Sequence, residues 1–80
     1  MIYAKCIKNE GPVSKRKYPL EISKMYEIDT IDMGSCNTDI LLKGFNSKDP
    51  KSWFNSVCFE FYENGKEIDI YSDKRFNPYL

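Results

Sequence analysis

The sequence has no histidine, and its three cysteines, Cys6, Cys36 and Cys58, are odd in number and far apart. Without histidine, proton transfer near neutral pH would fall to carboxylates, cysteine or lysine alone. A zinc site would need a close cysteine pair or a Cys/His cluster, and the spacing supplies neither. A secreted mini-protein stapled by disulfides would carry an even and denser set. The expectation is therefore reduced thiols in a cytoplasmic protein, with Cys6 and Cys58 in the core; a reactive Cys36 in the polar turn 34–37 is the alternative. Long apolar runs are missing too, which leaves no membrane-spanning helix and no signal-peptide core. Charge of one sign is not in excess: 12 Lys and Arg stand against 12 Asp and Glu. That balance removes the strongly basic nucleic-acid binder and, with the apolar content, general disorder.

Present instead are 41% hydrophobic and 15% aromatic residues in an 80-residue chain, enough for one compact core and a single domain over residues 1–80. Period-two alternation marks strands. Residues 2–8 alternate Ile2, Ala4 and Cys6 with Tyr3, Lys5 and Ile7. Gly11-Pro12 breaks that run, and Ser14-Lys15-Arg16-Lys17 forms a basic loop closed by Tyr18-Pro19. Residues 24–31 place Tyr26, Ile28 and Thr30 on one face, Glu27 and Asp29 on the other. The turn 33–37 precedes a short apolar strand at 39–43. Residues 56–63 set Val57, Phe59 and Phe61 against Cys58, Glu60 and Tyr62. Asn64-Gly65 then specifies a hairpin, because both central residues of a type I′ turn take positive φ. The answering strand is 66–71. Asp49-Pro50 starts one helical turn, with proline where its missing N–H is harmless, and Trp53 and Phe54 plug one end of the core. The tail from residue 72 either packs back or stays loose. Five short strands separated by turn residues point to an all-β, antiparallel barrel or sandwich with one short helical turn; closure into a barrel removes exposed edges.

The segment Leu20-Glu21-Ile22-Ser23-Lys24-Met25-Tyr26-Glu27-Ile28 resembles a pattern common in small bacteriophage proteins with an SH3-like barrel, which reads Leu-Thr-x-Gly-Lys-x-Tyr-x-Val. Ala4-Lys5-Cys6-Ile7-Lys8-Asn9 is similar to the strand that precedes it. Phe54-Asn55-Ser56-Val57-Cys58-Phe59-Glu60 is similar to the turn and final Phe that follow. Ser23 stands where that family usually has Gly, and the Asn64-Gly65 hairpin extends beyond the usual end. The resemblance implies an SH3-like barrel with Leu20, Tyr26 and Phe59 in the core and Lys24 on the surface. Fold alone does not assign activity. Several small phage proteins act by binding and blocking a host protein, CRISPR components included, and the resemblance carries that expectation to this chain by analogy.

Charge is segregated along the chain. Residues 1–18 hold five Lys or Arg and one Glu, whereas residues 19–42 hold one Lys and five carboxylates. Solvated faces are the plain explanation. Lys15, Arg16 and Lys17 beside Tyr18, with Lys5 and Lys8 on the preceding strand, could instead grip phosphates and stack a base, or steer the chain toward an acidic protein. Glu21, Glu27, Asp29, Asp32 and Asp39 could imitate phosphates before a basic groove. Nothing matches a calcium loop, phosphate loop or nucleophile elbow, so neither an enzyme nor a bound cofactor or metal is expected. Among the aromatics, Tyr3, Trp53, Tyr62, Tyr71 and Tyr79 are candidates for exposure, and Tyr and Trp are favoured at binding hot spots. As amphipathic residues they can equally cover the rim of a core. The expected function is binding and inhibition of a host protein by a phage or mobile-element product. Its candidate contact residues are Lys15, Arg16, Lys17, Tyr18, Glu27, Asp29, Trp53, Tyr62 and Tyr71. A nucleic-acid-binding accessory protein and a small-ligand binder for a nucleotide signal are the alternatives.

Overall fold

The computed structural model describes residues 1–12 and 15–80, so Val13 and the Ser14 of the expected basic loop lie outside the described residues. The chain is all-β. Strands β1 (Ile2–Cys6), β2 (Met25–Met33), β3 (Thr38–Leu42), β4 (Trp53–Asn55), β5 (Phe59–Glu63) and β6 (Lys66–Ile68) are antiparallel throughout. They form one six-stranded sheet in the order β4-β3-β2-β1-β5-β6. Two expectations change here. Residues 53–55 add a sixth strand, and no pairing joins the edge strands β4 and β6, so the sheet is open where a closed barrel was expected.

β2 belongs to two half-sheets. Its first residues pair with β1, and from Ile28 onward it pairs with β3. One core cluster takes Ala4 and Cys6 from β1, Ile40 and Leu42 from β3, Phe54 from β4, and Phe59 and Phe61 from β5. The sheet therefore folds over about β2, and both halves share one interior. Phe54 is fully buried, with its ring 4.8 Å from Tyr18 and 5.2 Å from Phe45 in edge-to-face contacts. Leu20, Tyr26 and Phe59 also reach this core and Lys24 is exposed.

The double role of β2 depends on an irregularity that alternation does not announce. The register with β3 shifts between Ile28 and Thr30, leaving Asp29 as the extra residue. Such a bulge exchanges the faces of every later residue. Ile31 and Met33 consequently pack inward and Thr30, expected inside, is exposed. Residues 56–63 are likewise shorter as a strand than their pattern predicts. Ser56–Cys58 is a 3₁₀ turn, started by the Asn55 side chain accepting from the Val57 N–H at 3.1 Å, and Val57 swings out to 56% exposure. Similar turns occupy Pro50–Ser52, where one was expected, and Ile70–Ser72, which cuts the last strand at Ile68.

The Asn64-Gly65 hairpin forms as its chemistry demands, with φ of 53° and 80° and Glu63 opposite Lys66. Ser23 holds φ of 71°, the left-handed region that glycine adopts most readily. The outer edge of β4 is covered by the loop after β1. Arg16 donates to the carbonyls of Lys51 and Trp53, and the Tyr18 hydroxyl accepts from the Asn55 N–H. Covered edges resist pairing with other chains. The tail packs back: Phe76 reaches the core and the Asn77 amide donates to the Tyr71 carbonyl at 2.7 Å.

Candidate functional site

On the outer face of the half-sheet containing β1, β2, β5 and β6, register decides which side chains meet. Tyr3 lies directly opposite Glu27 of β2 on one side and Tyr62 of β5 on the other. Tyr62 in turn lies opposite Glu67 of β6. Directly opposed residues point the same way and touch. The outcome is a row running Glu27, Tyr3, Tyr62, Glu67 across four strands, with Lys5 and Glu60 in the adjacent row. Inward-facing Ala4, Phe59 and Phe61 hold the backbone beneath it.

The row is electrostatically uneven. Lys43, just after β3, pairs with the Glu27 carboxylate and is held above its usual pKa first by that hydrogen bond and then by the negative charge around it. The Tyr62 hydroxyl donates to Glu60 at 3.2 Å. Loss of solvent, then the charge of Glu60, that hydrogen bond and the charge of Glu67 push the Tyr62 phenol upward. Tyr62 thus remains a neutral donor at the centre of an acidic surround. Two half-buried phenol rings flanked by carboxylates suit recognition of a cationic surface: rings stack on guanidinium planes and carboxylates take their N–H groups.

The other expected contact residues lie elsewhere. Arg16, whose guanidinium also sits 4.8 Å over the Tyr18 ring, is engaged by backbone carbonyls at the β4 edge; Lys15 and Lys17 beside it are exposed. Tyr18 is 8% exposed and packs on Phe54, so its ring is core and offers no stacking face; this corrects the expectation. Trp53 is half-buried on β4 with its indole N–H given to the Ser47 carbonyl at 2.9 Å. Tyr71 bonds Ser56 through its hydroxyl and borders a hollow of about 360 Å³ together with Cys36, Thr38 and Tyr79. Asp29 is the bulge residue and shares no regular face with Glu27, although both act on Lys43.

The expected set therefore divides into four places: Glu27 and Tyr62 on the outer face, Asp29 at the β2 bulge, Lys15, Arg16, Lys17, Tyr18 and Trp53 at the β4 edge, and Tyr71 near the tail. Tyr3, Glu60, Glu67 and Lys43 complete the first place and were not among the expected contacts. Counting back from the Asn64-Gly65 turn would have put Tyr62 opposite Glu67, whereas the pairing of Tyr3 with Tyr62 needs tertiary information. Among the described residues no three His, Cys, Asp or Glu side chains gather as a metal set, and no helix is long and apolar enough to cross a membrane.

No curated protein and no solved structure matches the chain. A family model does: the one described as bacteriophage T4 protein Y07B covers residues 1–80. With the match running from end to end, the chain belongs to that phage protein family.

Proposed function

We propose that this protein is a non-enzymatic binding protein that engages and inhibits a host protein in the host cytoplasm. The observation that carries the reading is the opposition of Tyr3 to both Glu27 and Tyr62 on one outer face. The chemistry of that face selects a partner bearing Arg or Lys around an apolar centre. Membership in a phage family supports a host target, and a defence component such as CRISPR machinery belongs to the target class in view. A second strand shared by two half-sheets, with a 3₁₀ turn before β5, supports reading the fold as an open variant of the SH3-like barrel. No cofactor enters this mechanism: occupancy of the partner's surface is the inhibition.

The test is affinity capture from host lysate with and without nuclease, followed by binding measurements on the captured protein. One protein recovered at near-equal amount in both arms, and lost by Tyr3→Ala and Tyr62→Ala, is the expected result. Each truncation should weaken binding by roughly thirtyfold, corresponding to about 2 kcal/mol at a hot spot. Recovery that disappears with nuclease, or that is indifferent to both tyrosines, would overturn the reading.

A further inference from the structure

Four lysines, Lys15, Lys17, Lys48 and Lys51, are exposed around the β4 edge, and among the described residues none of them enters an ion pair. They come from two segments far apart in sequence, and Arg16 brings them together. Its two terminal nitrogens donate to the Lys51 carbonyl at 3.0 Å and the Trp53 carbonyl at 3.3 Å. Lys15 and Lys17 flank that arginine in the chain. Trp53 is held through its indole N–H by the carbonyl of Ser47, the residue that precedes Lys48 in the chain. The acidic groups at hand are Asp49, whose carboxylate accepts from the Lys51 backbone N–H, and Glu10, paired through the backbone with Lys17.

Lys15 itself sits at φ of 58°. A residue with a Cβ is disfavoured there and glycine would relieve it. A lysine held in that conformation keeps a charge next to Arg16 in the chain, the kind of local cost that accompanies function. The grouping also differs from the one the sequence suggests. Tyr18 is withdrawn into the core and Lys5 lies on the opposite outer face; Lys48, Lys51 and Trp53 take their places.

We infer that this basic patch around Trp53, at the β4 edge, binds the phosphodiester backbone of a single-stranded nucleic acid. Unpaired ammonium groups exchange counterions for phosphates, and an indole supplies a stacking face to a base that a duplex would hide. The acidic tyrosine face repels the same polyanion, so the strand is confined to one side of the molecule. DNA and RNA share this backbone chemistry. The patch is separate from the face assigned to a host protein, and its test needs no host protein, so either reading can fail alone.

The experiment uses the whole chain with a fluorescein-labelled oligo(dT) or oligo(U) of about 20 nucleotides, a length sufficient to span one small domain. Anisotropy should rise with either probe, and Trp53, the only tryptophan, should be quenched on binding. With four phosphates engaged, affinity should fall roughly fiftyfold between about 50 and 200 mM salt. Lys15→Glu/Lys51→Glu should weaken binding at least tenfold and flatten the salt dependence to about half. Lys66→Glu/Lys74→Glu changes the net charge equally but away from the patch, and should cost much less. The relative strength of the two probes names the source, DNA or RNA. Absence of binding to both probes at low salt would overturn the inference, as would equal weakening by the two double variants when circular dichroism shows both folded.

Discussion

Arg75 lays its guanidinium across the carboxylate of Glu63, with Nη1 and Nη2 at 2.9 and 2.7 Å from the two oxygens. The same group meets Asp73 at 2.6 Å and rests 5.0 Å above the Phe76 ring. One cation thus fastens the tail to the end of β5. Hydrogen bonds from Arg75 are the first cause that pulls both Glu63 and Asp73 below the usual carboxylate range. A depressed carboxylate contributes stability that is present above its unfolded pKa and lost as pH falls through its folded value. Acidification should therefore release residues 73–80 before the core opens. Arg75→Ala should release them at neutral pH, visible as faster amide exchange and carboxypeptidase trimming confined to the tail. Exposed ion pairs contribute little to global stability, so the melting temperature should barely move. Unchanged tail protection in the variant would refute the fastening role.

Asp32 and Asp39 present the opposite sign. They are directly opposed on β2 and β3, and Asp39 is raised above its usual pKa first by burial and then by Asp32. A raised carboxylate contributes stability that is full below the unfolded pKa and lost as pH rises through the folded one. At neutral pH the pair is a cost. Asp32→Asn should stabilise the fold by about 0.5 kcal/mol, the scale of a like-charge cross-strand pair. Urea denaturation at pH 7 reads this directly, and the gain should shrink as pH falls and Asp39 takes up its proton. Destabilisation at pH 7 would mean that the pair serves a contact which the repulsion hides.

Phe54, on the edge strand β4, is fully buried with its ring against Tyr18 and Phe45. Truncating it to Ala should cost about 4 kcal/mol, combining lost transfer energy with the cavity left behind. A chain of this length has roughly 4 to 12 kcal/mol in total, so Phe54→Ala should be marginally folded at best. Phe54→Leu refills most of the volume and should stay cooperative. Thermal melts followed by circular dichroism separate these outcomes, and a fully stable Phe54→Ala would place the true core elsewhere.

Local rules made much of this fold readable. Asn64-Gly65 defined its hairpin and Asp49-Pro50 its turn, because each depends on backbone preferences or on neighbours close in sequence; the core position of Leu20 came from what the family resemblance implies. What escaped depends on partners far away. The bulge at Asp29 is set by how β2 must serve two neighbours, and period-two counting across it assigns Thr30 to the wrong face. Val57 follows the alternation of β5 until the Asn55 side chain captures its N–H. Tyr18 reads as a surface aromatic beside three cations, but its ring completes the Phe54 cluster and its hydroxyl caps the Asn55 N–H. The candidate contact row was half visible: Glu27 and Tyr62 could be named, and Tyr3, which joins them, is fixed only by the pairing of β1 with both β2 and β5.

The three cysteines supply the sharpest check on this interior. Cys6 and Cys58 are fully buried, whereas Cys36 is exposed in the turn after β2. Burial raises both core thiols first of all, and Cys58 is raised further by Cys6. Thiolate, the reactive form, is therefore scarce at both and shielded from reagent. Titration of the native protein with a thiol-specific disulfide reagent at pH 8 should modify Cys36 promptly, with the other two following only as the fold opens. In denaturant all three should react together. Cys36→Ser should remove the fast phase and leave the slow one, whose rate then reports opening of the β1–β5 core. A prompt reaction of Cys6 or Cys58 in that variant would mean that the loop after β1 does not seal the interior, and the covering of the β4 edge by Arg16 would fall with it.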